Sequence, residues 1–112
     1  MIDHAQDCAL LAPAESRSVE LALAIEQSGR RFVANTSSAC NVEPWNGHAG
    51  RASLAAADFR LFDGPACGSG EACPDFSAQA APMRFGYFGI VFSGPGVAVT
   101  HGVDNWRVTV WR

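Results

Sequence analysis

The residues with the most recognition chemistry lie in a polar loop, Ser37 to Gly50, where Trp45, Asn46 and His48 fall within four positions. A tryptophan among polar residues either folds back as a lid on the core or stands exposed as a stacking platform for a sugar ring. Asparagine and histidine beside it supply hydroxyl-directed hydrogen bonds. Tyr87, Trp106 and Trp111 complete the pool of amphipathic aromatics. By alternation, Trp106 shares a strand face with Val108 and Val110 and reads as core. Asn105, Arg107, Thr109 and Trp111 occupy the other face. Trp45, Asn46, His48, Tyr87 and Trp111 are therefore the candidate ligand-binding residues. The expectation is a shallow platform formed by Trp45 and one C-terminal aromatic.

Catalytic groupings are poor by comparison. A glycosidase needs two carboxylates about 5 to 9 Å apart. Glu20 and Glu26 lie at opposite ends of one predicted strand, about 20 Å apart at a strand's rise per residue. Ser93, His101 and Asp104 could be drawn as a triad, but no G-x-S-x-G elbow presents the serine. The reading is that the chain is not an enzyme, with a hydrolase as the second alternative. Asp63, Glu71 and Asp75 sit in a Gly-rich loop, yet their spacing matches no EF-hand loop; they read as solvated acids.

Cys8, Cys40, Cys67 and Cys73 are an even set in a small chain with loops rich in Gly, Pro and Ser. That usage favours disulfides and an oxidising compartment, extracellular or periplasmic. The favoured pairs are Cys8–Cys40, tying the N-terminus to a central loop, and Cys67–Cys73, closing a short Gly-rich loop. The rival readings are zinc, for which no C-x2-C or H-x3-H spacing is present, and buried free thiols.

With 112 residues the chain builds one domain, and 48% hydrophobic residues argue for a packed core. All eight basic residues are arginines, only Arg30 and Arg31 are adjacent, and the net charge is −3. No basic stripe with interleaved aromatics exists, so nucleic acid is not an expected partner. No apolar run approaches the ~20 residues of a membrane span. Asp3 and Asp7 stand where a signal peptide would carry basic residues.

The elements that must position these residues read as strands. Residues 1–15 read as a loose leader broken by Pro13. Val19, Leu21, Leu23 and Ile25 alternate with Glu20, Ala22, Ala24 and Glu26, the pattern of a half-buried strand. Ser28-Gly29 turns it into Arg30 to Thr36, a hairpin. Arg51 to Leu54 reads as a short strand, Ala55 to Phe59 as a helical turn, and Asp63 to Pro82 as a long loop. Met83 to Phe92 is apolar or glycine on both faces, which predicts a central strand covered on both sides. After the turn at Ser93 to Gly96 come a short strand, Val97 to Thr100, a break at His101-Gly102, and a final strand, Val103 to Trp111. The fold class is all-β: an antiparallel β-sandwich, jelly-roll-like, with long disulfide-containing loops. The aromatic-rich end of the chain is expected to form its interior strands.

The order AADF, PDFSAQAAPMRFGYF, HGVDNWRVTV resembles the C-terminal half of bacterial exported jelly-roll domains of the laminin-G or concanavalin-like group, over roughly Leu54 to Arg112. The resemblance implies a secreted adhesion or carbohydrate-binding module without catalysis. About six strands are visible where a jelly roll has about eight, so the chain reads as a reduced sandwich or as a piece lacking an N-terminal half-domain. A structural, self-associating piece of a larger surface protein, with no small ligand, is the alternative. Val103-Asp104-Asn105-Trp106 also resembles the last-strand motif of galactose-binding-like modules. That likeness implies Asp104 as a ligand of structural calcium, against the plainer role of capping a local turn. No other cofactor is expected, and the partner is expected to be a polysaccharide or surface glycan, with homo-oligomers an open alternative.

Overall fold

The computed structural model describes residues 1–12, 18–40, 48–68, 72–92 and 100–111. Among the described residues eight strands form two antiparallel sheets packed face to face: β1 Ile2–Ala12, β2 Ser18–Gln27, β3 Arg30–Ala34, β4 Ser38–Cys40, β5 His48–Leu54, β6 Phe59–Leu61, β7 Met83–Phe92 and β8 Thr100–Val110. A 3-10 turn, Ala56–Asp58, precedes β6. The smaller sheet has the order β5-β1-β8. In the larger sheet β2 is central. All ten of its residues pair with β7 on one side, while the other side pairs with β3 and β4, and β6 lies beyond β3. Among the described residues no helix is long and apolar enough to cross a membrane.

The hairpin forms as its sequence predicts. Gln27 faces Arg30 across a two-residue turn, and Ser28 and Gly29 both have positive φ, 52° and 73°. That conformation matches the twist of the flanking strands. The period-two pattern of β2 is also realised: Val19, Leu21, Leu23 and Ile25 are each no more than 1% exposed. At ~1.5–3 kcal/mol for each fully buried aliphatic side chain, this face is a main source of cohesion.

The N-terminal segment corrects the expectation of a loose leader. Ile2 to Ala12 is the middle strand of the smaller sheet, paired on both sides. Its inward positions are Ile2, His4, Gln6, Cys8 and Leu10, all buried. A histidine and a glutamine hold two of those positions, so hydropathy alternation does not reveal the strand. Two apolar clusters result. One gathers Ile2, Leu23, Ile25, Phe32, Leu54 and Phe59; the other gathers Cys8, Leu10, Val19, Leu21 and Cys40. Between them on β1 sit His4 and Gln6, whose ring nitrogens and amide atoms have no hydrogen-bond partner among the described residues. Ser38 Oγ, also buried, shares that condition.

The aromatic-rich end is likewise placed differently from expectation. β7 and β8 are not interior strands; each is the outer strand of its sheet, paired on one side only among the described residues. Tyr87, Val91 and Phe92 are about half exposed, and Trp106 is exposed rather than core. β8 also runs unbroken through His101-Gly102. Apolar content on both faces marks a strand, and the number of neighbouring strands decides whether it is central. Residues 93–99, with the expected turn and the start of the short strand, lie outside the described set.

Cys8 and Cys40 are bridged across the two sheets, 32 residues apart in sequence. The expected Cys67–Cys73 bridge is not formed: both are thiols. They interact directly, and the Cys67 thiol is pushed up to about 12 by burial first and by Cys73 second. The loop that carries Cys73 is anchored by buried Gln27. Its Nε2 donates to Asp75 O and Ala81 O, and its Oε1 accepts from Asp75 N at 2.7 Å.

Candidate functional site

The outer face of the smaller sheet carries the site. Asp3 and Ala5 of β1 point away from the larger sheet, and their register partners on β8 are Thr109 and Arg107. Trp111 continues that face one step beyond the strand. Its backbone N–H donates to Met1 O at 2.8 Å, which fixes its position beside β1.

Asp3 organises the ring. One carboxylate oxygen accepts from Ser53 N at 2.7 Å, and the other accepts from the Trp111 indole Nε1–H at 2.8 Å. These two bonds, that of Ser53 the stronger, hold the Asp3 carboxyl below its ordinary pKa, so it is ionised at neutral pH. The Ser53 contact depends on an irregularity in β5. Ile2 faces Leu54 but His4 faces Arg51, so β5 carries extra length here, and Ser53 takes a positive φ of 60°. Such a bulge re-aims backbone groups out of the ladder.

Together these residues border a groove of about 590 Å³. Its floor is small: Ala5, Gly50 and Ala52. Gly50 is required there, because a Cβ would lie 2.5 Å from His4 O. Trp111, 55% exposed, ends a row with Thr109 and Arg107 that borders the groove along β8, and Arg51 borders it from β5. The groove therefore offers an immobilised aromatic face, a guanidinium with five donors and a hydroxyl. Asp3 is its one carboxylate, with both oxygens already accepting. A second depression, about 340 Å³, lies against β2, β3 and β7 under Phe62 and Phe88. Those rings pack edge to face at 5.0 Å, and the Arg84 guanidinium beside them pairs with Glu26. It presents no tryptophan; its amphipathic aromatic is Tyr87, 46% exposed.

The expected binding residues do not converge. Trp45 and Asn46 lie outside the described residues. His48 starts β5 and its backbone faces Asp7, at the far end of that strand from Ser53. Tyr87 belongs to the other sheet, its ring 6.3 Å from that of His101. Ten residues of chain separate His101 from Trp111, about 30 Å of extended strand. Tyr87 and Trp111 thus stand at opposite ends of the domain. Asp104 is exposed, and its Oδ1 accepts from Asn105 N at 2.7 Å within β8, not at a turn after His101-Gly102. Asn105, at φ 50°, donates from Nδ2 to buried Asp7. Among the described residues no group of three or more His, Cys, Asp or Glu is placed to hold a metal ion.

The sequence showed Arg107, Thr109 and Trp111 on one strand face. It did not show Asp3, because Asp3 lies in the segment read as a leader. Comparisons with protein-family models, curated proteins and solved structures return no match.

Proposed function

We propose that this domain is a non-catalytic carbohydrate-binding module of an exported protein, and that it binds through the groove beneath Trp111. The observation that carries the proposal is the indole bonded to Asp3, in line with Thr109 and Arg107 along a groove also lined by the small residues Ala5, Gly50 and Ala52. A sugar ring has one apolar face and an equatorial rim of hydroxyls. A rigid aromatic wall beside donors complements both, and little side-chain entropy is lost on binding. The small floor leaves the depth a pyranose needs. Hydrolysis would require a second carboxylate, and Asp3 is already engaged at both oxygens. The Cys8–Cys40 bridge supports an oxidising compartment, consistent with secretion. The sandwich itself supports the likeness to laminin-G or concanavalin-like domains, whose known members include adhesion modules.

Affinity electrophoresis on a panel of polysaccharides tests the proposal. Retention is expected on at least one, and Trp111→Ala should weaken it about tenfold or more, the equivalent of ~1.4 kcal/mol of lost stacking. Trp106→Ala, on β8 but outside the groove, should leave retention unchanged. A protein that is retained on no polysaccharide, or retained equally after Trp111→Ala, overturns it.

A further inference from the structure

We infer that β7 is the contact edge of a symmetric dimer, in which two copies of this chain join strand to strand. β7 pairs with β2 over all ten residues without a bulge, and no described strand pairs with its other side. Arg84 is its only charge, and it contains neither Lys nor Pro. The other outer strands are blunted in the ways that prevent such pairing. β8 is bulged at Asn105 and carries Asp104 and Arg107; β5 is irregular near Ser53; β4 and β6 have three residues each.

The glycines of β7 point to what covers it. A Cβ at Gly86 would meet nothing within 4 Å, and one at Gly89 would meet Leu21 at an ordinary 3.7 Å. Neither glycine has a positive φ. This chain's own packing therefore does not require them, although glycine weakens a strand. Glycine in a strand also marks the close approach of another chain.

The backbone sets the geometry. Because Gln27 and Arg30 close a two-residue turn, Ile25 and Gln27 aim their N–H and C=O groups at β3, and Ala22, Ala24 and Glu26 aim theirs at β7. The β7 residues opposite those, Phe88, Gly86 and Arg84, are thereby satisfied. Phe85, Tyr87, Gly89 and Val91 present theirs outward. A dyad perpendicular to the sheet keeps both inner faces on one side, so residues of equal parity pair. Centred on Tyr87 or Phe88, it sets each glycine opposite a large side chain: Gly86 against Phe88 or Ile90, and Gly89 against Phe85 or Tyr87 of the second copy. Centred on either glycine, it would stack glycine on glycine. Large opposite small is the pairing by which bulky side chains shield strand glycines. The same dyad turns the outer faces of both smaller sheets the same way, which would place two Trp111 grooves on one side. That consequence rests on the carbohydrate reading; the dimer does not.

Sedimentation equilibrium on the whole chain, across a concentration series, tests the inference. The expected result is a mass rising toward twice 11.8 kDa. Val91→Lys should hold the protein at monomer mass. Gly86→Val, which the monomer has room for, should leave the urea midpoint unchanged or higher while raising the dimer dissociation constant at least tenfold. Oxidised Phe88→Cys or Tyr87→Cys, made with Cys67→Ser and Cys73→Ser, should give a covalent dimer, and Trp106→Cys should not. A wild-type monomer at every concentration, open-ended oligomers, or crosslinking through Trp106→Cys instead of β7 overturns the inference. None of these measurements depends on sugar binding.

Discussion

Replacing His4 with leucine should reduce the stability this domain loses as pH falls below about 6.5. His4 is 4% exposed, and its ring nitrogens have no partner among the described residues. Burial, and secondarily the positive charge of Arg51, lowers its pKa from the ordinary histidine value. The neutral ring is therefore the folded form, while the unfolded chain takes up a proton near pH 6.5. Below that pH the unfolded state binds more protons than the folded one, so stability falls as pH falls. Stability is whole above the unfolded pKa and declines until the folded pKa is passed. While the folded ring stays neutral and the unfolded one is protonated, the loss grows by at most ~1.4 kcal/mol per pH unit. Asp3 and Asp75 also have lowered values, but they lose their contribution only below the ordinary carboxylate range, beneath this window. The assay is urea unfolding at half-unit steps from pH 7.5 to 4.5 for wild type and His4→Leu. At pH 7.5 the variant should be as stable as wild type or more so, because an unpaired buried polar group has been removed. As pH falls, the wild-type curve should drop away from the variant curve. Parallel curves would refute the reasoning, and so would a variant that loses stability faster than wild type.

Other consequences are simpler to measure. Cys8→Ser with Cys40→Ser should lower unfolding free energy by about 3–4 kcal/mol, the loop entropy for a separation of 32 residues, read from denaturant midpoints. Thiol titration in denaturant should find two reactive groups, not four or none; in the folded protein Cys67 should alkylate slowly at pH 8 and faster as pH rises, since its pKa is about 12. Phe59→Ala should cost about 3–5 kcal/mol, because Phe59 is fully buried and packs edge to face on Phe76 at 5.8 Å. Gln27→Leu should cost about 1–3 kcal/mol by leaving the Asp75 N–H and two carbonyls without partners, and hydrogen exchange should show residues 75–81 losing protection.

Elements with a local signal were legible from residue order alone. Alternation from Val19 to Ile25 and the Ser28-Gly29 turn define a hairpin, because a strand's faces and a turn's φ angles are set by adjacent residues. β-branched and aromatic density marks β7 and β8 as strands, and the shared face of Arg107, Thr109 and Trp111 follows from the same period of two. Which strands lie beside each other is set by long-range pairing. β1 is a central strand although His4 and Gln6 occupy inward positions, because β5 and β8 close over it from 40 and 100 residues away. β7 stands at an edge because β2 is flanked on its other side by β3 and β4. The groove has the same origin. Asp3 meets the Trp111 indole across 108 residues of chain, a bond made by register between the two ends of the sequence.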